Sequence, residues 1–159
     1  MKNVVRRCQV LCLLAVSIFC ASVVAQESPS AAQGCSNATL WGSFGYTSTG
    51  TLLESYVPPP FAGPFGEIGR QTFDGKGNTN ATATLSSNGN ISTVGINGTY
   101  TVNSDCTGSM TLNIPDFDAT VHENFVIDDG ATELRAIGTD SGVIETRVYK
   151  KQCRGGREE

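Results

Sequence analysis

The chain has 159 residues, a formal charge of −4, 39% apolar residues and 16% charged ones, against roughly 25% charged in an average soluble protein. That length suits one domain. Glycine (18) and threonine (17) are abundant and the strong helix formers are scarce, which excludes a helical bundle. The absence of a repeat period or of paired Cys/His spacing excludes collagen-like, coiled-coil and zinc-finger architectures.

Residues 1–25 read as a signal peptide. Lys2, Arg6 and Arg7 form a basic start, an apolar run extends from Val10 to Val24, and Val23-Val24-Ala25 is a small-residue cleavage site before Gln26. The apolar run is shorter than the roughly 20 residues a membrane-spanning helix needs. Cys8-Gln9-Val10 after Arg6-Arg7 does not suit a twin-arginine signal, and Phe19 before Cys20 does not suit a lipoprotein site. Sec-type export to the periplasm or the outside is therefore expected. Three of the 11 basic residues leave with the signal and none of the 15 acidic ones does, so the remainder carries 8 against 15, or −7. Such an acidic product has no electrostatic footprint for nucleic acid or anionic lipid. Nothing in the sequence speaks to oligomeric state.

Cys35, Cys106 and Cys153 remain after cleavage, in a compartment that permits disulfides. Three is odd, so at most one intramolecular bridge forms. A Cys35–Cys106 bridge would close a loop of about 70 residues, worth roughly 4 kcal/mol in the chain-entropy model, and would leave Cys153 near the terminus.

Residues 26–34 form a Ser/Ala-rich leader, 35–153 a single domain and 154–159 a disordered tail. Within the domain the dominant signal is period-two alternation broken by Gly, Asn and Asp turns. Phe44 and Tyr46 alternate with Ser43, Gly45 and Thr47. Val57-Pro58-Pro59-Pro60 sits in a loop, because proline cannot donate to a strand ladder. Ile68–Phe73 is the next strand, turned back by Asp74-Gly75-Lys76-Gly77. Strands are then expected over 81–86, over the segment carrying Val94, Ile96, Tyr100 and Val102, and over 109–114, 118–127, 133–138 and 144–150. Eight strands with hairpin-length connections suit an all-β, antiparallel up-and-down barrel of calycin-like outline, with a two-sheet sandwich as the alternative. Several strands of about six residues, no aromatic girdles and a charged C-terminal end argue against insertion in an outer membrane.

Material for catalysis is thin. His122 is the sole histidine, and it lies on the strand face opposite Val121, Glu123 and Phe125. One His and scattered Cys make a poor metal site, so no metal or cofactor is expected. The Asp residues beside Gly are explained by turn chemistry. Four Asn-x-Ser/Thr sequons, at Asn37, Asn80, Asn90 and Asn97, arise readily by chance in so Thr- and Asn-rich a chain. Glu123 shares the apolar face, and a buried carboxylate needs a partner or a raised pKa. Arg70, between Ile68 and Thr72, is the expected partner, with Arg135 as the second choice. The pair would be a structural tie or a polar anchor for a ligand.

The blocks Cys35-Ser36-Asn37-Ala38-Thr39-Leu40 with Gly42-Ser43-Phe44-Gly45, then Gly69–Gly77, then Gly98–Asn103 with Asp105-Cys106-Thr107-Gly108, resemble a family of exported bacterial β-proteins of unknown function. The resemblance implies the fold, the export and a Cys35–Cys106 pair, and no activity. Three readings follow. The first is a binding barrel holding a small apolar ligand among Tyr46, Tyr100, Phe125, Glu123 and Arg70. The second is a structural or surface-interaction protein with a filled core. The third is a cyclase- or isomerase-like enzyme working through Glu123, Arg70 and Tyr100. A thiol titration of the mature chain under denaturing, non-reducing conditions should count one free thiol.

Overall fold

The computed structural model describes residues 34–153. The expected signal peptide, all but the last residue of the leader and the tail lie outside the described residues. Eight strands run in chain order: β1 (Trp41–Leu52), β2 (Gly63–Asp74), β3 (Asn78–Ser87), β4 (Asn90–Val102), β5 (Thr107–Ile114), β6 (Ala119–Asp128), β7 (Glu133–Gly138) and β8 (Val143–Lys151). Each pairs antiparallel with the next, and β8 returns to β1 with Phe44 opposite Lys151 and Leu52 opposite Val143. The sheet is therefore a closed up-and-down barrel, which leaves no unpaired edge. The sandwich alternative does not hold.

Turn chemistry fixes the hairpins. Asp74 accepts hydrogen bonds from the amides of Lys76 and Asn78 at 2.7 and 2.9 Å and from the Asn78 side chain at 2.7 Å. These donors hold its carboxyl down at about 2. Asn88 and Gly89 both take positive φ, the conformation a two-residue hairpin loop demands.

The strands are longer than the sequence pattern suggests. β3 has 10 residues and β5 has 8, where about six were expected; β7 has 6. Asn78, Thr79 and Asn80 look like turn residues, but β4 pairs with all three and β2 with Thr79 and Asn80, which draws them into β3. Strand length therefore does not separate this barrel from a membrane one. Composition of the outer face is more informative: exposed Thr82, Thr84, Asn97, Thr99 and Asn124 are interspersed with single residues such as Ile68, Ile91 and Ile137. Among the described residues, no helix is long and apolar enough to cross a membrane.

One end of the barrel is plugged. A 3-10 turn at Asn37–Thr39 sits at the end where β4 finishes. The Tyr100 hydroxyl donates from inside the barrel to the carbonyls of Asn37 and Leu40 at 3.1 and 2.9 Å, and Asn37 Oδ1 accepts from the Val102 amide at 2.8 Å. Cys35 is disulfide-bonded to Cys106 in the β4–β5 turn, and Cys153 is exposed and free. Above the plug, buried Leu40, Phe44, Phe73, Met110, Leu112, Phe125 and Leu134 pack into a solid core. Phe73 stands edge-on to both Phe44 and Tyr100, with centroids 5.5 and 5.2 Å away.

The disulfide spans 71 residues of chain. Cys35→Ser together with Cys106→Ser should lower unfolding free energy by roughly 4 kcal/mol in denaturant titrations, as loop-closure entropy requires. A loss below about 1 kcal/mol would mean that Tyr100 and Asn37 alone hold the plug.

Candidate functional site

From the plug towards the opposite end, the inner face changes from hydrocarbon to charge. β1 presents Phe44, Tyr46 and Ser48 inward, and the β1–β8 register sets Tyr46 opposite Tyr149, Ser48 opposite Arg147 and Gly50 opposite Glu145. Facing residues of a ladder share a side, so Glu145, Arg147 and Tyr149 all point inward while Ile144 and Val148 point out. β2 contributes Phe65, Glu67, Gly69, Gln71 and Phe73 by the same alternation.

Arg147 is the hub. Its side chain is 5% exposed and meets three glutamates: Nη2 is 2.7 Å from Glu145 Oε1 and 3.6 Å from Glu67 Oε2, and Nη1 is 3.2 Å from Glu123 Oε1. Nε adds a second bond to Glu145 Oε1 at 3.2 Å, and Nη1 donates to the Tyr149 hydroxyl at 3.3 Å. The guanidinium carbon lies 4.7 Å from the centroid of the Tyr46 ring, a cation–π contact strengthened by desolvation. Tyr46 in turn donates to Glu67, and Ser48 donates to Glu145. Gly69 makes the first of these bonds feasible, since a Cβ there would lie 2.6 Å from the Tyr46 ring.

Three buried carboxylates surround one cation, so the cluster is formally over-charged. Glu123 carries the consequence. Burial drives its pKa up to about 7, opposed by Arg147 and reinforced by Glu145 and Glu67. Its hydrogen bonding agrees. The Tyr149 hydroxyl lies 3.3 Å from Gln71 Oε1 and 3.4 Å from Glu123 Oε2, two long contacts that its single proton can serve only by sharing. A protonated Glu123 can donate to the Tyr149 oxygen, which frees the Tyr149 proton for Gln71. Gln71 continues the chain to Thr79 at 2.9 Å, and Thr79 to the Thr72 carbonyl at 3.0 Å. Burial beside the carboxylates also pushes the Tyr46 and Tyr149 phenols up, and the surrounding negative charge raises Arg147 despite its desolvation.

Beyond this charged layer the barrel is hollow. A cavity of about 530 Å³ opens at the end opposite the plug; Glu67, Glu145 and Arg147 border it together with Phe65, Leu85, Ile114, Val121 and Val143. The β1–β2 loop, residues 53–62, contributes Tyr56, Val57, Pro58 and Phe61 to the same lining. It is tied across the opening: the Phe61 and Pro60 carbonyls accept from Ser87 Oγ and Asn88 Nδ2, both at 2.7 Å, and the Tyr56 hydroxyl donates to the Thr120 carbonyl at 3.4 Å.

The expected site residues fall differently. Tyr46, Tyr100, Phe125 and Glu123 are all inside the barrel, but none borders the cavity: Tyr100 holds the plug, Phe125 fills the solid half, and Tyr46 and Glu123 belong to the charged layer. Arg70 is a correction. It points outward and donates to Ser43 Oγ at 3.0 Å, because the inner parity of β2 is that of Phe65 and Phe73, not that of Ile68. Arg135 is also outside, 2.6 Å from Asp128. The partner of Glu123 is Arg147, which sequence reasoning missed; the one clue was Glu145-x-Arg147-x-Tyr149 at period two. His122 lies on the outer face as expected, 52% exposed, with Nδ1 2.8 Å from Asp140. Among the described residues, no cluster of three or more His, Cys, Asp or Glu is arranged to hold a metal ion.

No family model and no curated protein matches the chain. Two solved structures are similar in fold. EF1p2_mFAP2b bound to DFHBI superposes with a TM-score of 0.51 at 14% identity, covering 72% of this chain and 94% of that one. A redesigned β-barrel, mFAP1, bound to DFHBI, gives a TM-score of 0.49 at 18% identity, covering 72% and 97%. These likenesses concern the barrel architecture alone.

Glu123 makes stability depend on pH with a definite sign. Its native pKa lies above the ordinary 4.5, so between about 4.5 and 7 the native state keeps a proton that the unfolded state releases. Stability then falls as pH rises through that window, by on the order of 3 kcal/mol for this group, and levels off above it. Glu123→Gln should flatten the dependence and make the protein more stable than the parent at pH 8. A parent-like slope in the variant, measured by denaturant unfolding at several pH values, would show that another group titrates.

Proposed function

We propose that the chain is an exported, water-soluble barrel that holds one small, largely apolar ligand in its mouth. The cavity carries this reading. About 530 Å³ of space, walled by Phe65, Leu85, Val121 and Val143, floored by buried polar groups and crossed by a tied loop, has the composition of a small-molecule site. An eight-stranded barrel is wide enough to hold one small ligand, and the fold shared with EF1p2_mFAP2b, itself bound to DFHBI, is compatible with that use. Export is supported by the signal-like first 25 residues and by a disulfide, which persists in oxidising compartments. Likeness to the exported bacterial β-proteins whose blocks this chain resembles remains part of the proposal.

The solid half of the barrel, from Leu40 to Met110, favours a second reading as a structural or surface-interaction protein. Turnover has less support. Glu123 is 1% exposed, Arg70 points away from it, and the Tyr100 hydroxyl is engaged by two carbonyls, so the three groups do not converge on a common point.

Native mass spectrometry of the protein purified from its own host should show the chain with a bound small molecule. Ser92→Trp, which places an indole in the cavity from the inner face of β4, should lose that mass while keeping the parent's unfolding midpoint within roughly 1 kcal/mol. A native chain that carries nothing, and retains no small apolar molecule from a host extract, would leave the filled-core reading.

A further inference from the structure

The walls of the cavity say apolar; its floor says which charge the ligand bears. Glu67, Glu145 and Asp118 border the space against one cation, Arg147, a formal excess of two negative charges. The obvious alternative use of a buried arginine, to clamp a ligand's carboxylate, is opposed by charge. A guanidinium has five N–H groups. Here Nε and one Nη2 proton go to Glu145 and one Nη1 proton goes to Tyr149, while the other Nη1 and Nη2 protons face Glu123 and Glu67 as ion-pair contacts. An incoming anion would add a further negative charge to a cation that already faces three carboxylates.

Acceptors, by contrast, are in surplus. Glu145 is 4% exposed, yet Ser48 and both Arg147 donors converge on Oε1; among the described residues nothing donates to Oε2. Glu67 gives Oε1 to Tyr46, and its Oε2 stands 3.6 Å from Arg147, outside hydrogen-bond reach. Carboxylate oxygens that border the space without a protein donor are the acceptors a cation or donor entering it would meet. Phe61, Phe65 and Phe117 also line the space, and aromatic rings are surfaces suited to an alkylammonium.

Taking the mouth as the binding site proposed above, we infer that its ligand is a cationic amphiphile: an organic ammonium whose head group sits against Glu145 and Glu67 and whose apolar body lies along Phe65, Leu85 and Val121. A fatty acid or other anionic amphiphile would place like charge on that floor and is selected against.

Isothermal titration calorimetry on the full-length mature protein with decylammonium, decanol and decanoate, three probes with one chain and different heads, separates the possibilities. Decylammonium should bind at least about tenfold more tightly than decanol, and decanoate more weakly than decanol, as expected for a charge matched or opposed by a buried partner. Glu145→Gln should erase most of the ammonium advantage, read as the ratio of decylammonium to decanol affinity. Asp118→Asn, at an exposed left-handed position that asparagine tolerates and away from the buried cluster, should reduce the same advantage about two- to threefold without disturbing the fold. Equal affinities for the three probes, or decanoate the tightest, would overturn the cationic assignment and leave the binding reading standing. No binding by any of them would overturn both.

Discussion

A single guanidinium enclosed by three carboxylates organises this barrel. Arg147 and Glu145 come from β8, Glu67 from β2 and Glu123 from β6, so the cluster ties together strands that are distant in sequence and on opposite sides of the closed sheet. Removing charges from water costs several kcal/mol each, and mutual attraction recovers that only with good geometry and further hydrogen bonds. Tyr46, Ser48 and Tyr149 supply those bonds. The cluster does little for net stability that hydrocarbon could not do; its effect is to end the hydrocarbon core where it stands. A polar layer across the interior cannot be covered by Phe and Leu alone, and the space beyond it stays open.

The two ends of the barrel accordingly do different work. At the plugged end, the disulfide, the Asn37 side chain and the Tyr100 hydroxyl converge on one short turn, and the aromatic rings beneath it interlock edge to face. At the other end, a loop carrying three successive prolines crosses the opening through a few side-chain bonds to Ser87, Asn88 and Thr120. Proline limits the conformations this loop loses on ordering, while its sparse ties leave it easier to displace than any strand. One end is closed by a disulfide-tied plug and the other is crossed by a loop held through side-chain bonds.

Much of the fold was legible because turns are written in local chemistry. Asp74-Gly75, Asn88-Gly89 and Asp140-Ser141-Gly142 punctuate the chain at hairpin spacing, and eight alternating segments without a helix-length connection leave few architectures. The site was less legible, for one physical reason. Hydrophobic parity identifies the inner face of a strand only where the interior is apolar. On β4 and β6 that holds: Val94, Ile96 and Tyr100, and Val121 and Phe125, mark the inside correctly. On β8 the interior is Glu145 and Arg147 and the exterior is Ile144 and Val148, so the rule inverts. On β2 the exposed Ile68 drew Arg70 onto the wrong face, whereas Phe65 and Phe73 had the right parity. What recovers the inner face of β8 is closure: once β1 must pair with β8, Tyr46 and Tyr149 face each other, and every second residue follows.

Protonation of Glu123 then links the hidden layer to the open one. A buried pair of phenol and carboxyl with one proton too few for its acceptors gains from taking up another proton, and the uptake lowers the negative charge behind Arg147. Glu67 and Glu145, unlike Glu123, border the cavity. Division of labour among three chemically identical side chains follows from position alone. The carboxyl with the least access to water is the one whose pKa burial raises, and the two beside the cavity are the ones an occupant can reach. Such a floor selects by sign before shape, since misplacing a methylene in an apolar pocket costs little and burying a like charge costs far more.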